Sequence, residues 1–444
     1  MSRIERLIQL GVDLYPAGSG RTHTIAEALS VGRKSGDCII AGRLVVVDVD
    51  AGVGALQDAS GSASLRLLCD SDTRTQSLFK ELIAGDIVEC RVVTECDTIY
   101  IRDLRLLVPS HRTFPERIPD SAVTLKSDIL KYTAQFFEAR GFLGVDTPYF
   151  MSEPDLTPGI TSFKTEFHDP AGRSISYYLQ TSPEHYMKRL LALGYENIYQ
   201  ICRFFRDGER YATHHPEFIG LEWYQAYSDY HAIMQTMEEY IVSLSVSLRG
   251  ESLITYQGKT IDLNPPWTRK TVRDMLLEQI GIDLKHNRTL DSFKKSVAAR
   301  DVEVAEDDTW EDLFHRLFLQ KIEPNLPDDR PIILTEYPVC LPSLARCTEE
   351  DDRFVERFEL YIGGLELANA FTELNDPEEQ RTRFAEQLPG EQARGYDGGV
   401  DEAFLAALEY GMPPAAGIAL GLDRLAMLLA DTTSIDDVIA FRNY

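Results

Sequence analysis

Residues 357–374, RFELYIGGLELANAFTEL, alternate apolar and polar side chains on either side of Gly363 and Gly364. A period of two is typical of a half-buried β-strand, and two successive glycines readily adopt the positive φ angles of a two-residue hairpin turn. The segment therefore predicts a β-hairpin that turns at the two glycines.

The pairing of this hairpin decides which side chains share a face. Counting outward from the turn places Tyr361 opposite Glu366 and Glu359 opposite Ala368, so Glu359 and Glu366 are diagonal neighbours. Two carboxylates this close repel each other unless a cation lies between them, which indicates Mg²⁺ held together with a phosphate ligand. A solvated acidic face is the weaker interpretation, because apolar residues flank both acids.

Glu373 does not share this face in a regular strand, because it lies an odd number of residues from Glu366. A β-bulge adds one residue and reverses the parity beyond it. We therefore predict a bulge near the small residues Ala368 to Ala370.

The composition predicts a globular protein that does not span a membrane. The chain has 444 residues, enough for two or three domains, and 44% of them are hydrophobic. No apolar run approaches the roughly 20 residues that a membrane span needs. The net charge of −26 repels nucleic acid unless basic residues cluster locally.

The cysteines favour a reducing compartment. Their number is odd and no CxxC motif is present, so reduced thiols in a cytoplasmic protein are expected. The N-terminus carries acids and lacks a long apolar core, so it is not a signal peptide. The cysteines are Cys38, Cys69, Cys90, Cys96, Cys202, Cys340 and Cys347.

The N-terminal third predicts a small barrel. Residues 1–37 form a helical segment, and residues 38–110 contain five short β-rich runs and one helix, which is typical of an oligonucleotide-binding (OB) barrel. This barrel has eleven acids, seven bases and only two aromatics, Phe79 and Tyr100. Single-strand binders use aromatic stacking, so a packing or docking role is at least as well supported as RNA binding. A proline-bearing linker follows over 111–120.

Residues 121–444 mix helices and strands, with a mostly helical insertion at about 241–330. A loop after residue 202 holds the one basic cluster of this acidic chain, which includes Arg206, and phosphate recognition explains such a cluster. Arg424 enters a later helix. Arginines with paired acids form a nucleotide-activating site, and the chain has no GxxxxGK[ST] loop.

These segments resemble the catalytic domain of class II aminoacyl-tRNA synthetases, in the branch specific for lysine. The resemblance covers 121–444 and rests on three motifs, SAVTLKSDILKYTAQFFEARGFLGVDTP at 121–148, ICRFFRDGERYATHHPEF at 201–218 and GIALGLDRL at 417–425. It implies an α+β fold in which helices flank an antiparallel sheet. It also implies a homodimer built through the first motif.

The resemblance implies a site for ATP and Mg²⁺. By position in the motifs, Arg206 holds the α-phosphate and Arg424 the γ-phosphate, and these two are the catalytic residues. Phe218 stacks on adenine, and Glu359 and Glu366 hold metal and ATP. The implied ATP-binding set is Arg206, Glu209, His214, Phe218, Glu359, Glu366 and Arg424.

The resemblance also implies a pocket for lysine or β-lysine. Glu184 faces the α- or β-amino group, and Asn369 orients the substrate. A buried ammonium group needs carboxylate and hydroxyl partners, which Glu222, Tyr224 and Glu373 supply for the terminal amine. The implied substrate-binding set is Ser182, Glu184, Glu222, Tyr224, Asn369, Glu373 and Ala419.

Two acceptors compete within this branch. Ser182 and Ala419 stand where lysyl-tRNA synthetases usually carry alanine and glycine, and both resemble the paralogue that attaches (R)-β-lysine to a lysine of elongation factor P. That paralogue usually lacks an N-terminal barrel, which favours lysyl-tRNA synthetase instead. We expect elongation factor P as the acceptor, with tRNA as the alternative. A synthetase-like binding protein without activity is a third interpretation.

Three positions depart from the family pattern. Gly208 stands where the second motif usually has glutamate, so Asp207 or Glu209 is expected to replace that acid. Thr213 precedes the loop histidine in place of arginine or tyrosine. Ala370 stands where glycine is usual. These departures affect the expected catalytic efficiency and leave open an amino-acid substrate other than lysine.

Overall fold

A computed structural model of the chain has two compact units, Met1–Arg117 and Ile118–Tyr444. Most of the predicted linker at 111–120 lies outside the described residues, so its boundaries stay a prediction. The structure describes residues 1–31, 38–95, 98–111, 118–157, 159–341, 344–393, 395–396 and 398–441, without the side chain of Glu95.

The first unit contains a closed five-stranded barrel with the strand order β1-β2-β3-β5-β4. Alternate residues of β3 are buried, such as Ala63 and Leu65, so one face of each strand fills the interior. The OB-type barrel predicted from the sequence is confirmed. Its elements are α1 (Arg3–Gln9), α2 (Ile25–Val31), β1 (Cys38–Asp48), β2 (Val53–Asp58), β3 (Gly61–Leu67), α3 (Thr73–Phe79), β4 (Ile87–Glu95) and β5 (Thr98–Val108).

The second unit is built on an eight-stranded sheet with the order β14-β15-β16-β17-β18-β11-β10-β6. The six central strands are antiparallel, and β14 and β6 add a parallel strand at each edge. The predicted α+β fold is confirmed, with a sheet that is mixed at its edges. The strands are β6 (Leu143–Gly144), β10 (Asn197–Phe205), β11 (Glu217–Ala226), β14 (Thr268–Thr271), β15 (Ile332–Pro338), β16 (Phe354–Ile362), β17 (Leu365–Thr372) and β18 (Ala415–Gly421).

Helices and smaller sheets surround this sheet. Strands β7 (Phe150–Met151), β8 (Lys164–His168) and β9 (Ser174–Leu179) form one small sheet, and β12 (Leu253–Tyr256) pairs with β13 (Lys259–Asp262). The helices are α4 (Lys126–Glu138), α5 (Glu184–Ala192), α6 (Tyr230–Arg249), α7 (Val272–Ile280), α8 (Leu290–Ala298), α9 (Trp310–Leu317), α10 (Pro377–Ala393), α11 (Glu402–Gly411) and α12 (Leu422–Leu429).

The hairpin predicted at 357–374 is β16 and β17. Gly363 and Gly364 turn it with φ angles of 60° and 80°. Tyr361 lies opposite Glu366, but the predicted partner of Glu359 is wrong, because Glu359 faces Asn369. The register shifts by one residue at Leu367, so the bulge lies just before the predicted 368–370 segment.

One face of the sheet packs on a hydrophobic core formed with α4, α6 and α12. Phe137 of α4 lies 5.0 Å from the ring of Trp223 and 5.7 Å from that of Tyr240. Because successive strand residues point to opposite faces, burial of Leu221 and Trp223 against the helices turns Glu222 to the other face. That other face carries the candidate site.

Two further findings concern the described residues only. No helix among them is long and apolar enough to cross a membrane. Five of the cysteines among them are free thiols, and Cys96 lies outside the described part of the chain. The five are Cys69, Cys90, Cys202, Cys340 and Cys347.

Candidate active site

A cavity of about 300 Å³ opens on the face of the sheet opposite the core. The structure places every residue that the sequence predicted for the site around this one cavity. These residues are Ser182, Glu184, Arg206, Glu209, His214, Phe218, Glu222, Tyr224, Glu359, Glu366, Asn369, Glu373, Ala419 and Arg424.

The sheet register explains why residues distant in sequence meet here. Ala419 of β18 pairs with Glu222 of β11 on one side and with Asn369 of β17 on the other. Asn369 in turn pairs with Glu359 of β16. Opposed residues of paired strands share a face, so these four side chains form one row across four strands.

Glu359 is fixed by three donors. Arg357 Nη2 donates to its Oε1 at 2.7 Å, and the hydroxyls of Tyr337 and Tyr361 donate to its Oε2 at 2.6 and 2.7 Å. Burial and the charge of Glu359 raise the pKa of the neighbouring Glu366, which the arginines of the cavity partly offset. Such a pair of acids is stabilised by a cation.

Among the described residues, no group of three or more His, Cys, Asp or Glu side chains has the arrangement of a metal site. Mg²⁺ commonly takes one or two carboxylates and completes its octahedron with water and substrate phosphates. Glu359 and Glu366 suit that arrangement, because both acids line the cavity.

Arg206 lies where β10 ends, beside an aromatic ring. Its guanidinium carbon is 5.3 Å from the ring centroid of Phe218, and its Nη1 is 3.8 Å from Glu209 Oε1. Its buried Nε donates to no acceptor among the described residues. A cation with an unused buried donor is suited to an anionic ligand.

Arg424 lies in the first turn of α12 and is held by three groups. Its Nε donates to Thr213 O at 3.1 Å, its Nη1 donates to Glu366 O at 2.8 Å, and its Nη2 lies 2.6 Å from His214 Nε2. Burial and the charges of Arg424 and Arg206 lower the pKa of His214 to about 4. His214 is therefore neutral, and its Nε2 accepts the hydrogen bond from Arg424.

The other end of the cavity is acidic. The Tyr224 hydroxyl donates to Glu222 Oε1 at 2.7 Å. Glu222 Oε2 and Glu373 Oε1 are buried and have no hydrogen-bond partner in the described part of the chain. Burial and the charge of Glu184 raise the pKa of Glu222 well above its usual value. Burial also raises the pKa of Glu373 to about 8.

Sequence reasoning missed Lys188, which joins the two ends of this acidic region. Its Nζ donates to Glu184 Oε1 at 2.6 Å and forms an ion pair with Glu373 Oε2 at 2.5 Å. Lys188 lies one helical turn after Glu184 on α5, so the i,i+4 spacing of opposite charges was a signal for the first contact. Its contact with Glu373 depends on tertiary structure.

Arg357 and Gly417 were also missed. Arg357 contacts both Glu359 and Asn369 and lies two residues before Glu359, so strand alternation placed it on the same face. At Gly417, an added Cβ would lie 2.2 Å from the Tyr224 ring and 2.6 Å from Glu373 Oε1. Only glycine leaves room for these two side chains.

The family departures have distinct positions. Gly208 has a φ of 81° in a turn, and Glu209 reaches the cavity whereas Asp207 is exposed. Thr213 contributes its carbonyl oxygen to Arg424. Ala370 is buried in the core on the opposite face, away from the cavity.

The antiparallel sheet, the arginines at its edge and the acidic pocket define a class of protein. The chain belongs to the class II tRNA synthetases, because the family model for the D, K and N enzymes matches residues 116–443. It is therefore an ATP-dependent aminoacyl ligase.

Three relatives of this chain are all named lysine–tRNA ligases. The chain is 32% identical to the lysine–tRNA ligase of Chloroflexus aurantiacus, over 99% of this chain and 96% of that protein. It is 34% identical to the lysine–tRNA ligases of Pelotomaculum thermopropionicum and Carboxydothermus hydrogenoformans, again over 99% of this chain and over 93% and 96% of theirs.

The prediction of elongation factor P as the acceptor is wrong. Relatives named for lysine and tRNA match nearly the whole chain, including the barrel. The prediction used Ser182 and Ala419, which line the cavity. A hydroxyl and a methyl there affect the shape of the pocket and carry no information about the acceptor, so they did not support (R)-β-lysine transfer to a protein.

Proposed function

We propose that this ligase activates lysine with ATP and transfers the lysyl group to tRNA. The observation that carries the proposal is the pair of unpartnered buried carboxylate oxygens, Glu222 Oε2 and Glu373 Oε1, in the cavity that also holds Arg206 and Arg424. Buried carboxylates require a cationic partner, and the ammonium groups of lysine provide one. The full-length similarity to lysine–tRNA ligases supports the same acceptor and amino acid.

The amino acid is bound at the acidic end. Glu373, Glu222 and the Tyr224 hydroxyl receive the terminal ammonium, and Glu184 receives the α-ammonium. Asn369 and Ser182 orient the substrate. Ala419, on β18 between β11 and β17, forms the base of the pocket. The lysine carboxylate then extends along the sheet towards Arg206.

ATP is bound at the basic end. Phe218 stacks on adenine, Arg206 binds the α-phosphate and Arg424 binds the γ-phosphate, with Glu209 and His214 beside them. Glu359 and Glu366 would hold Mg²⁺ together with the phosphates. When bound, the ion neutralises charge on the phosphates.

Catalysis is by positioning and charge neutralisation. The lysine carboxylate attacks the α-phosphorus in line, forming lysyl adenylate, and pyrophosphate leaves. Arg206 stabilises the charge that develops on the α-phosphoryl oxygens, and no covalent enzyme intermediate forms. A terminal ribose hydroxyl of tRNA then attacks the lysyl carbonyl, and AMP leaves.

We also propose that the ligase is a homodimer. The support is an exposed apolar surface near the first motif, on β6 to β9. Leu143, Phe150 and Phe167 are 50%, 55% and 51% exposed, and Ile175 is 39% exposed. Phe167 and Ile175 lie opposite each other on β8 and β9, and adjacent exposed apolar side chains mark interaction surfaces.

Two measurements test the function. We expect lysine to support ATP–pyrophosphate exchange and lysine tRNA to become charged. If lysine supports exchange but tRNA is not charged, the proposal that tRNA is the acceptor is refuted. Absence of exchange with any amino acid would refute the enzyme and favour a synthetase-like binding protein.

A further inference from the structure

Lys188 is a fully buried lysine that the proposed chemical steps do not use. Its side chain is 0% exposed, and it does not line the cavity, whereas Glu184 and Glu373 do. Its ammonium therefore contacts both carboxylates from the side away from the cavity. Each carboxylate uses one oxygen for this contact and retains a second oxygen.

The carboxylates of Glu184, Glu222 and Glu373 lie in one buried region and would repel one another without the ammonium group of Lys188. A buried carboxylate that loses its counter-ion protonates instead of remaining charged. Burial alone lowers the pKa of Lys188, but the charges of Glu184 and Glu373 raise it to about 12, so it remains an ammonium. Lys188 in turn lowers the pKa of Glu373 against the effect of burial.

We propose that Lys188 is a positioning residue that favours the charged form of Glu373 and orients the remaining oxygens of Glu184 and Glu373 towards the amino groups of the ligand. This role rests on the proposed function, because these carboxylates act as ammonium acceptors only in a pocket for a diamino ligand. Lys188 itself does not touch the substrate.

Other groups near Lys188 come from several elements. Helix α5 contributes His185, which lies 3.1 Å from Asp401 and has Asp155 as a further acidic neighbour. Strand β11 contributes Glu222 and Tyr224. Helix α11 contributes the Phe404 ring, 6.0 Å from the Lys188 ammonium. Among the groups named here, Glu184 and Glu373 are the ones that contact Lys188 directly.

The test is pH-dependent binding of 1,5-diaminopentane to the full-length protein, measured by calorimetry. This probe has the two amino groups of lysine without its carboxylate, and both stay protonated below about pH 9.5. For the wild type, we expect affinity to rise with pH and to level off above the pKa of Glu373, about 8. For Lys188→Met, we expect the midpoint to rise by about one pH unit or more, with affinity lowered about tenfold at pH 7.

A role that is merely structural would not produce this pattern. We expect the difference between variant and wild type to narrow as pH rises, while ATP affinity stays unchanged. Lys295→Met, which removes an exposed lysine on α8, is the matched control and should behave as wild type. If Lys188→Met does not fold, Lys188→Gln keeps two N–H donors without the charge and tests the same shift.

The outcomes separate this inference from the proposed function. An unshifted midpoint in a folded Lys188 variant, or diamine binding by the wild type that is independent of pH, overturns the role of Lys188. If the wild type binds the diamine as expected but neither exchanges pyrophosphate with lysine nor charges tRNA, the proposed function fails and the role of Lys188 stands.

Discussion

Single carboxylates determine the chemistry of the acidic end of the cavity. Glu373 combines an unpartnered oxygen with a contact to Lys188, and its pKa of about 8 means that it binds a proton in the free protein near neutral pH. In the proposed pocket a ligand ammonium displaces that proton. We therefore expect binding of lysine to be linked to proton release.

Glu373→Gln should raise the KM for lysine by about tenfold to a hundredfold in ATP–pyrophosphate exchange, because a hydrogen bond to a charged group contributes about 1.5–3 kcal/mol. The KM for ATP should not change, since Glu373 lies at the acidic end. Glu251→Gln, an exposed glutamate, is the control. An equal rise in both KM values would contradict this assignment.

The KM for lysine should fall as pH rises from about pH 6.5 to about pH 8.5. Burial raises the pKa of Glu373 to about 8, so the proton that competes with the ammonium is lost over this range. Exchange rates measured against lysine concentration at each pH provide the check. A KM that increases with pH in this window would refute the linkage.

Strand β18 shapes the pocket through a glycine, which has no side chain. Its Gly417 lies against Tyr224 and Glu373, so closely that any larger residue would displace these two side chains. Ala419, two residues further along the same face, forms the floor between Glu222 and Asn369.

Gly417→Ala should lower the stability of the protein by about 1–3 kcal/mol and raise the KM for lysine, because the added methyl displaces the Tyr224 ring and Glu373. Thermal unfolding and pyrophosphate exchange measure the two effects. Gly390→Ala on α10, where a Cβ meets nothing within 4 Å, should leave the KM for lysine unchanged and should not lower the stability, because alanine favours a helix more than glycine does. A Gly417→Ala variant that is as active and as stable as the wild type would contradict this prediction.

At the scale of the whole molecule, the exposed apolar surface on β6 to β9 predicts association. Light scattering should give a mass of twice the 50.2 kDa of one chain. Phe150→Glu should shift the protein to the monomer, since it places a charge in the proposed dimer interface, where Phe150 is exposed in the single chain. Tyr410→Glu, at a 78% exposed position on α11, should not. A wild-type mass of one chain would refute the dimer.

The sequence alone determined the barrel, the antiparallel hairpin and many of the residues around the cavity. Alternation, turn glycines and short motifs encode these features locally, and a strand period of two places Glu359 and Glu366 on one face. Motif resemblance supplied residues from separate segments. The acceptor depended on whole-chain similarity, because two substitutions in the pocket do not encode it.

Only the tertiary structure decided the register and the charge balance of the pocket. The bulge at Leu367 sets which residue faces Glu359, and its position depends on how β17 packs between β16 and β18. Lys188 and Glu373 are 185 residues apart in sequence, so their contact exists only once α5 packs against the sheet. Burial then sets their pKa values, because desolvation is a property of the folded chain and not of any local segment.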